Sequence, residues 1–318
     1  MYDVTALGEL LIDFAAIGAD ERGYPVMAAK PGGAPANYLA ALNAYGMKTA
    51  LLGKVGNDVF GKLLLNTVAE AGIETKGIVV DDTVFTTLAF VTRNEAGERS
   101  FSFARKPGAD TCLRFEELEL TLIDGAKVFH FGTLSLTDEP ARTCTQKTVA
   151  YARERHKLIT FDPNLRLSLW ESGEEARDQM LWGLAQADVV KVSDDEIAFL
   201  WDCPAQDGAD RLIRQYGVAL AMVTLGPGGC YLKNKNGAAA APCPPVKPVD
   251  TTGAGDIFGG SAVSRILRTG KRPQELMESD LRKIAAFAST AASLSTEKLG
   301  GIPSIPSEDE VIRAIGRV

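Results

Sequence analysis

Histidine is almost missing from this sequence. Only two residues, His130 and His156, are of that type, and both read as structural or exposed, which argues against a histidine-based mechanism. Cysteine is sparse as well. The five cysteines are odd in number and widely spaced, and no C-x-x-C occurs. A disulfide framework and a zinc site are both disfavoured, and free thiols in a reducing cytosol are the expectation. Positive charge is in deficit: 34 Lys and Arg stand against 41 Asp and Glu, for a net charge of −7. That balance argues against a nucleic-acid or anionic-membrane surface, but not against a small anion held in a local pocket. No apolar run is long enough to cross a membrane. The opening "MYDVTALGELLIDF" carries Asp3, Glu9 and Asp13 and no basic stretch, unlike a signal peptide. Fixed-period repeats and low-complexity tracts are missing too. A cytoplasmic protein with small-molecule partners is what these absences leave.

What is present suits an ordinary globular chain. Hydrophobic residues make up 46% of the 318 positions and charged residues 24%, enough for a sizeable core. Strand-like runs ("VTALGELLIDF", "KVFHFGTLS", "KLITFDPN", "ADVVKVS", "LAMVTLG") alternate with segments of helical period ("NYLAALNAYG", "FGKLLLNTVAEAG", "PARTCTQKTVAYARER", "IFGGSAVSRILRTG", "LRKIAAFASTAASLS"). Such alternation predicts a largely parallel sheet covered by helices on both faces. One region breaks the rhythm. "TVFTTLAFVTRNEAGERSFSFARK", residues 83–106, reads as a hairpin with no helix to cover it. It must pack elsewhere, over a cleft or against another subunit, and the irregular residues 15–30 are its candidate partner.

Several glycine-rich and polar turns could carry chemistry. In "VDTTGAGDIFGGS", Gly253, Ala254 and Gly255 precede Asp256 and an apolar run of helical spacing. The small residues then sit at a helix N-terminus, where unpaired N–H groups and the helix dipole favour an anion. A plain N-cap role for Asp256 is the competing reading. "GAGDIFGG" looks like a dinucleotide turn only superficially: it lies late in the chain and puts an acid inside the phosphate turn. No G-x-x-x-x-G-K-[ST] occurs, so a P-loop is excluded. "KPGGAPANYLAALNAYG" brings Gly32 and Gly33 before a helix that Asn37 enters. That is either a structural turn or a close backbone approach to a polar ligand, with the Asn37 amide as donor and acceptor. "GKVGNDVFG" reads as a structural turn. "TFDPNLRLSLW", "KVSDDEIAFL" and "VTLGPGGCYL" each place polar or glycine residues at a strand end, where ligands of open α/β sheets sit.

Taken together, in this order, these pieces resemble one family: the ribokinase-like (PfkB) sugar kinases. The resemblance runs from "GELLIDF" to "GGIPSIP", and "PGGAPAN" and "DTTGAGD" are its most specific parts. "GELLIDF", "PGGAPAN", "FDPNLR" and "DTTGAGD" are similar to the fructokinase subgroup. The resemblance implies a three-layer α/β/α sandwich with a small β-sheet lid, forming one kinase domain over residues 1–318 with lid segments at about 14–30 and 84–106. It implies transfer of the γ-phosphoryl group of ATP to an unphosphorylated sugar, fructose first among the candidates. A 2-keto-3-deoxygluconate or nucleoside kinase is the alternative within the family, and a non-catalytic sensor the alternative outside its activity.

The resemblance also implies roles for single residues. Asp256 is the base, and Gly253, Ala254 and Gly255 form a backbone anion hole. Asp13, Gly32, Gly33, Asn37 and Arg166 face the sugar, closed over by Phe101, Phe103 and Arg105. Thr224, Gly226 and Gly229 lie on the phosphate side of the nucleotide, with Ala288 and Ala292 beside the adenine. Glu196 orders magnesium-bound water. Ser193 departs from the pattern, since many members carry Asn there, so its hydroxyl or Lys191 takes over the phosphate contact. Asp250, Thr252 and Ser304 match a potassium site. An inserted β-sheet with open edges further implies a homodimer formed through the lid.

Overall fold

The alternation becomes a nine-stranded sheet with helices on both faces. The computed structural model describes residues 1–93 and 99–316, and the side chains at 93 and 99–101 fall outside that description. In chain order the first strands are β1 (Val4–Leu7), β2 (Leu11–Ala19), β3 (Pro25–Gly32), β4 (Thr49–Gly56), β5 (Ile78–Asp81), β6 (Leu88–Arg93) and β7 (Arg99–Ala104). They are followed by β8 (Val128–Gly132), β9 (Leu158–Asp162), β10 (Val189–Ser193), β11 (Leu220–Thr224), β12 (Cys230–Asn234) and β13 (Gly237–Ala241). The helices are α1 (Ala34–Ala44), α2 (Val59–Glu70), α3 (Thr121–Asp124), α4 (Ala141–Glu154) and α5 (Gly173–Gln186). After them come α6 (Asp194–Trp201), α7 (Ala205–Tyr216), α8 (Ala254–Thr269), α9 (Glu278–Ser295) and α10 (Glu308–Ile315).

The large sheet runs β13-β12-β11-β10-β9-β8-β1-β4-β5. Pairing is parallel from β11 through to β5, and antiparallel only for β11–β12 and β12–β13. Alternate strand residues feed two apolar layers, as the strand period requires. Val4, Ala6, Leu220 and Met222 pack with α1, α8 and α9 on one face. Leu7, Val190, Val192 and Val223 pack with α4, α5, α6 and α7 on the other. The result is a three-layer α/β/α sandwich with a mostly parallel sheet.

A second sheet, β3-β2-β6-β7, stands apart. The run "VTALGELLIDF", read as one strand, is divided between the two sheets. The break falls at Gly8-Glu9-Leu10, where Gly8 donates to the Leu52 carbonyl and a Cβ on Gly8 would lie 2.6 Å from the Pro35 ring. Residues 15–30, irregular by composition, form the β2–β3 pair, closed by a turn in which Asp20 accepts from the Arg22 and Tyr24 amides. The small sheet holds one face against α2 through Phe14, which lies 5.3 Å from Phe90 and 5.5 Å from Phe60. Its other face, with Asp13 and Phe103, looks into a cleft.

Two further differences have simple causes. "GKVG" of the motif read as a turn belongs to β4, and the turn shrinks to Asn57-Asp58, with Asp58 capping α2 through the Phe60 and Gly61 amides. The hairpin β12–β13 escapes a reading by strand composition because its second strand is "GAAAA", weak in β-propensity. The turn Lys235-Asn236 between the strands, with Gly237 opening β13, is the signal that marks it.

Candidate active site

The carboxyl ends of β9, β10 and β11 point at the N-terminus of α8, and that meeting point organises the site. Gly253, with φ +78°, takes the N-cap position in a left-handed conformation, and Asp256 falls in the first turn at the third helical residue. Asp256 therefore does not cap the helix. Its carboxylate accepts two side-chain amides instead: Asn37 Nδ2 at 2.9 Å on Oδ2 and Asn164 Nδ2 at 3.2 Å on Oδ1. Burial raises its pKa above the ordinary carboxylate range, opposed by the Asn37 hydrogen bond and by Lys191 and Arg166. Of the first N–H groups of α8, that of Ala254 donates to the Thr251 carbonyl at 3.3 Å, and those of Gly255 and Asp256 have no intrahelical acceptor.

Asn37 reaches this point because Gly33, at φ +123°, lets α1 start immediately after β3. Asn164 reaches it from a strand-end turn in which it is itself left-handed, with φ +46°. Asp162 holds that turn by accepting the Asn164 amide at 3.1 Å. The same carboxylate pairs with Lys191 Nζ at 3.1 Å. Burial works against the Lys191 charge, but Asp162, Glu196 and Asp256 outweigh it, so the ammonium is retained. Asn164 and Asp162 lie in the strand-end run "TFDPNLRLSLW" that the sequence marks as a ligand position, but the sequence assigned neither a role.

Two clefts meet here. The first, of about 470 Å³, lies under the small sheet and is lined by Asp13, Gly33, Asn37, Phe103, Arg166 and Asp256 among others. Burial pushes the Asp13 carboxyl up to about 6, against the pull of Arg166. Gly32 lets β3 pass this carboxylate, since a Cβ there would fall 2.3 Å from Asp13 Oδ2. Glu9 also lines the cleft, buried, with the Ala34 amide donating to it at 2.8 Å. Desolvation raises its pKa to about 7. Its sequence signal was an acid inside an otherwise apolar run.

The second cleft, of about 650 Å³, lies on the other side of Gly255. Thr224, Gly226, Gly229, Ser193, Glu196, Ala254 and Ala292 line it, and Lys191, Asn164, Arg166 and Gly255 border both clefts. Ser289, from the run "FASTAAS" that the resemblance sets beside the adenine, lines this cleft as well, as does Cys243, which was not read as a site residue. Glu196 accepts the Leu165 amide on one oxygen and the Ser193 amide on the other, both at 2.8 Å. Among the described residues no three His, Cys, Asp or Glu side chains gather as a metal cluster. A divalent cation would thus rely on phosphate oxygens and water with one or two carboxylates, the usual habit of magnesium.

Some predicted residues stand elsewhere. Arg105 is buried beneath the small sheet: its guanidinium pairs with Asp110 at 2.7 Å and donates to Thr137 and to the Leu134 carbonyl. It does not line the cleft. Ala288 is fully buried in the core one turn from Ala292. Phe101 is among the residues whose side chains are not described. Asp250 accepts from Thr252 Oγ1 at 2.7 Å and from the Gly300 amide at 3.0 Å, with Lys30 at 3.7 Å. The Ser304 hydroxyl donates to the Gly301 carbonyl in the adjoining segment.

This sandwich, with two clefts that meet at a helix N-terminus and the buried Asp256 lining one of them, is that of a two-substrate phosphotransferase of the ribokinase type. The chain belongs to the pfkB family of carbohydrate kinases, whose pattern matches residues 1–308. Fructokinase-1 of Zea mays is 41% identical over 316 residues, covering 98% of this chain and 97% of the relative. Among solved structures, the ATP-bound fructokinase of Xylella fastidiosa superposes with a TM-score of 0.87 at 29% identity, covering 100% of this chain and 99% of that one. A double mutant of the Vibrio cholerae O395 fructokinase, in fructose, ADP and potassium ion bound form, gives a TM-score of 0.87 at 28% identity, covering 99% and 98%. The activity is therefore ATP-dependent phosphorylation of a carbohydrate. No helix among the described residues is long and apolar enough to cross a membrane.

Proposed function

We propose that this chain phosphorylates free fructose, with the sugar in the cleft under the small sheet and ATP in the cleft beyond Gly255. The observation that carries this reading is Asp256, whose carboxylate stands at the junction of the clefts with each oxygen held by an amide, from Asn37 and Asn164. A carboxylate fixed by neutral donors keeps its orientation and stays free to accept a proton. The sugar oxygen attacks the γ-phosphorus as its proton passes to Asp256. The bond from that phosphorus to the bridging oxygen breaks, and its electron pair leaves with ADP. The α8 N-terminus at Gly253-Ala254-Gly255 offers N–H groups to the phosphoryl oxygens as charge gathers on them, which is most of what phosphoryl transfer asks of a protein.

Asp13 accepts sugar hydroxyls while Arg166 and Asn37 orient the ring. Phe103 and the strands of the small sheet act as a lid that excludes water and protects ATP from hydrolysis. Thr224, Gly226 and Gly229 pass close to the phosphates and Ala292 packs on the adenine side. Magnesium, when bound, neutralises β- and γ-phosphate charge, with Glu196 holding its water. Potassium belongs beside the Asp250–Thr252 turn. The exposed Ile17, Tyr24 and Val26 on the β2–β3 pair are the surface by which two copies form a homodimer. Cytoplasmic residence fits the five unpaired cysteines.

The test is a panel of unphosphorylated ketoses, aldoses, sugar acids and nucleosides with ATP and magnesium, read by ADP release and product analysis. Fructose should give the highest kcat/KM. A preference for 2-keto-3-deoxygluconate or a nucleoside would overturn the substrate assignment, and no turnover with any acceptor would favour a sensor.

A further inference from the structure

Lys191 occupies a position that nucleotide binding alone does not explain. It borders both clefts rather than the nucleotide cleft only. Its Nζ lies against α8, so close that a Cβ built on Gly255 would stand 3.0 Å from it. Its anchor is Asp162, at 3.2 Å from Oδ1 and 3.1 Å from Oδ2. Asp162 also fixes the turn that sends Asn164 to Asp256. One buried carboxylate thus places a cation and orients the base at the same junction.

We propose that Lys191, held by Asp162, is the cation that meets the phosphoryl group in flight between the clefts, and that Asp162 is a positioning residue for both Lys191 and Asn164. The inference rests on the assignment of the two clefts to sugar and ATP. An ammonium has three donors, so Lys191 can stay on Asp162 and still turn a proton toward the junction. As the γ-phosphoryl group leaves ADP it flattens and moves toward the sugar oxygen, carrying its charge on three equatorial oxygens at a place that bound ATP does not occupy. A cation at the crossing point therefore favours the transition state over bound ATP, and its loss appears in kcat rather than in KM for ATP. Gly255 acquires a second reason to lack a side chain: besides exposing its N–H, it leaves room for the ammonium.

The experiment compares Lys191→Met, Asp162→Asn and their double variant with wild type in steady-state kinetics with fructose and ATP-magnesium. Gly255→Ala, which keeps both charges but crowds Nζ, is the fourth arm. Each single change should lower kcat by about 10²–10³-fold, the usual cost of one lost charge-stabilising donor, with KM for ATP within a few-fold of wild type. The double variant should be no slower than the worse single variant, because both changes remove one unit. A rise in KM for ATP at unchanged kcat would make Lys191 an ordinary phosphate ligand and overturn the proposal, as would additive losses in the double variant. If Asp162→Asn does not fold, Lys191→Met and Gly255→Ala decide alone by the same kcat criterion. Inactive wild type would refute the substrate reading instead, a result that no variant can mimic.

Discussion

Asn37 and Asp256 are 219 residues apart in the chain, yet the Asn37 amide donates to the Asp256 carboxylate at 2.9 Å. The other atom of that amide, Oδ1, is buried and has no partner among the described residues. The contact joins the first turn of α1 to the first turn of α8, so both helix N-termini converge on one carboxylate. It also makes the base replaceable without wrecking the fold.

Asp256→Asn should reduce kcat by roughly 10²–10⁴-fold, the range of general-base assistance, with small effects on the KM values. The new amide presents a donor, and a flip of the Asn37 side chain brings its unpartnered Oδ1 to accept it. Folding therefore survives. Turnover and melting temperature measured on one preparation separate this from a structural role, which would lower the melting temperature and spare turnover.

Asp13 should impose a pH dependence on sugar use. Burial pushes its carboxyl up to about 6, and only the ionised form is a full acceptor for hydroxyls. Above that pH the contribution of Asp13 to kcat/KM for fructose should be complete, leaving the ionisations of Glu9 and Asp256, which burial also raises, to shape the rest of the profile. Below it, kcat/KM should fall about tenfold per pH unit, since this parameter reports ionisations of the free enzyme. Asp13→Asn should lower the plateau and remove that inflection. An unchanged inflection in the variant would assign it to another group.

Arg105→Met should cost stability before it costs sugar affinity. The change leaves Asp110 buried without its ion pair, and breaking such a pair from one side costs about 3–5 kcal/mol. Urea denaturation would show a lower midpoint. Normal stability with a strongly raised KM for fructose would instead place Arg105 on the sugar.

Gly33→Ala should destabilise the protein by about 1–3 kcal/mol. The residue has φ +123°, and a Cβ there would lie 2.5 Å from the Glu9 carbonyl oxygen. Because this backbone sets where α1 begins, KM for fructose should rise as well. A variant with unchanged midpoint and KM would show that α1 can shift without moving Asn37.

Local chemistry made much of this legible. Strand–helix alternation announces a parallel sheet with two covered faces because β-strands buried on both sides must be apolar along their length. The small residues before Asp256 announce a helix N-terminus open to an anion, since neither a long side chain nor an ordinary cap would leave those N–H groups accessible. Other features depend on distance in space and not on neighbours in sequence. "VTALGELLIDF" carries no mark of the point where it changes sheets, because Gly8 turns in response to Pro35, a residue of another element. The family resemblance makes Arg105 a sugar ligand, and only the arrival of Asp110, Leu134 and Thr137 commits its guanidinium elsewhere. Asp162 and Asn164 are strand-end polar residues without a role, and Lys191 a candidate phosphate contact, until β9 and β10 align side by side and join them. The sequence by itself determined the fold class and the polar turns that could serve a phosphoryl transfer. The tertiary structure decided which of them share one buried junction, because burial and pairing between strands set the charge, orientation and reach of each side chain.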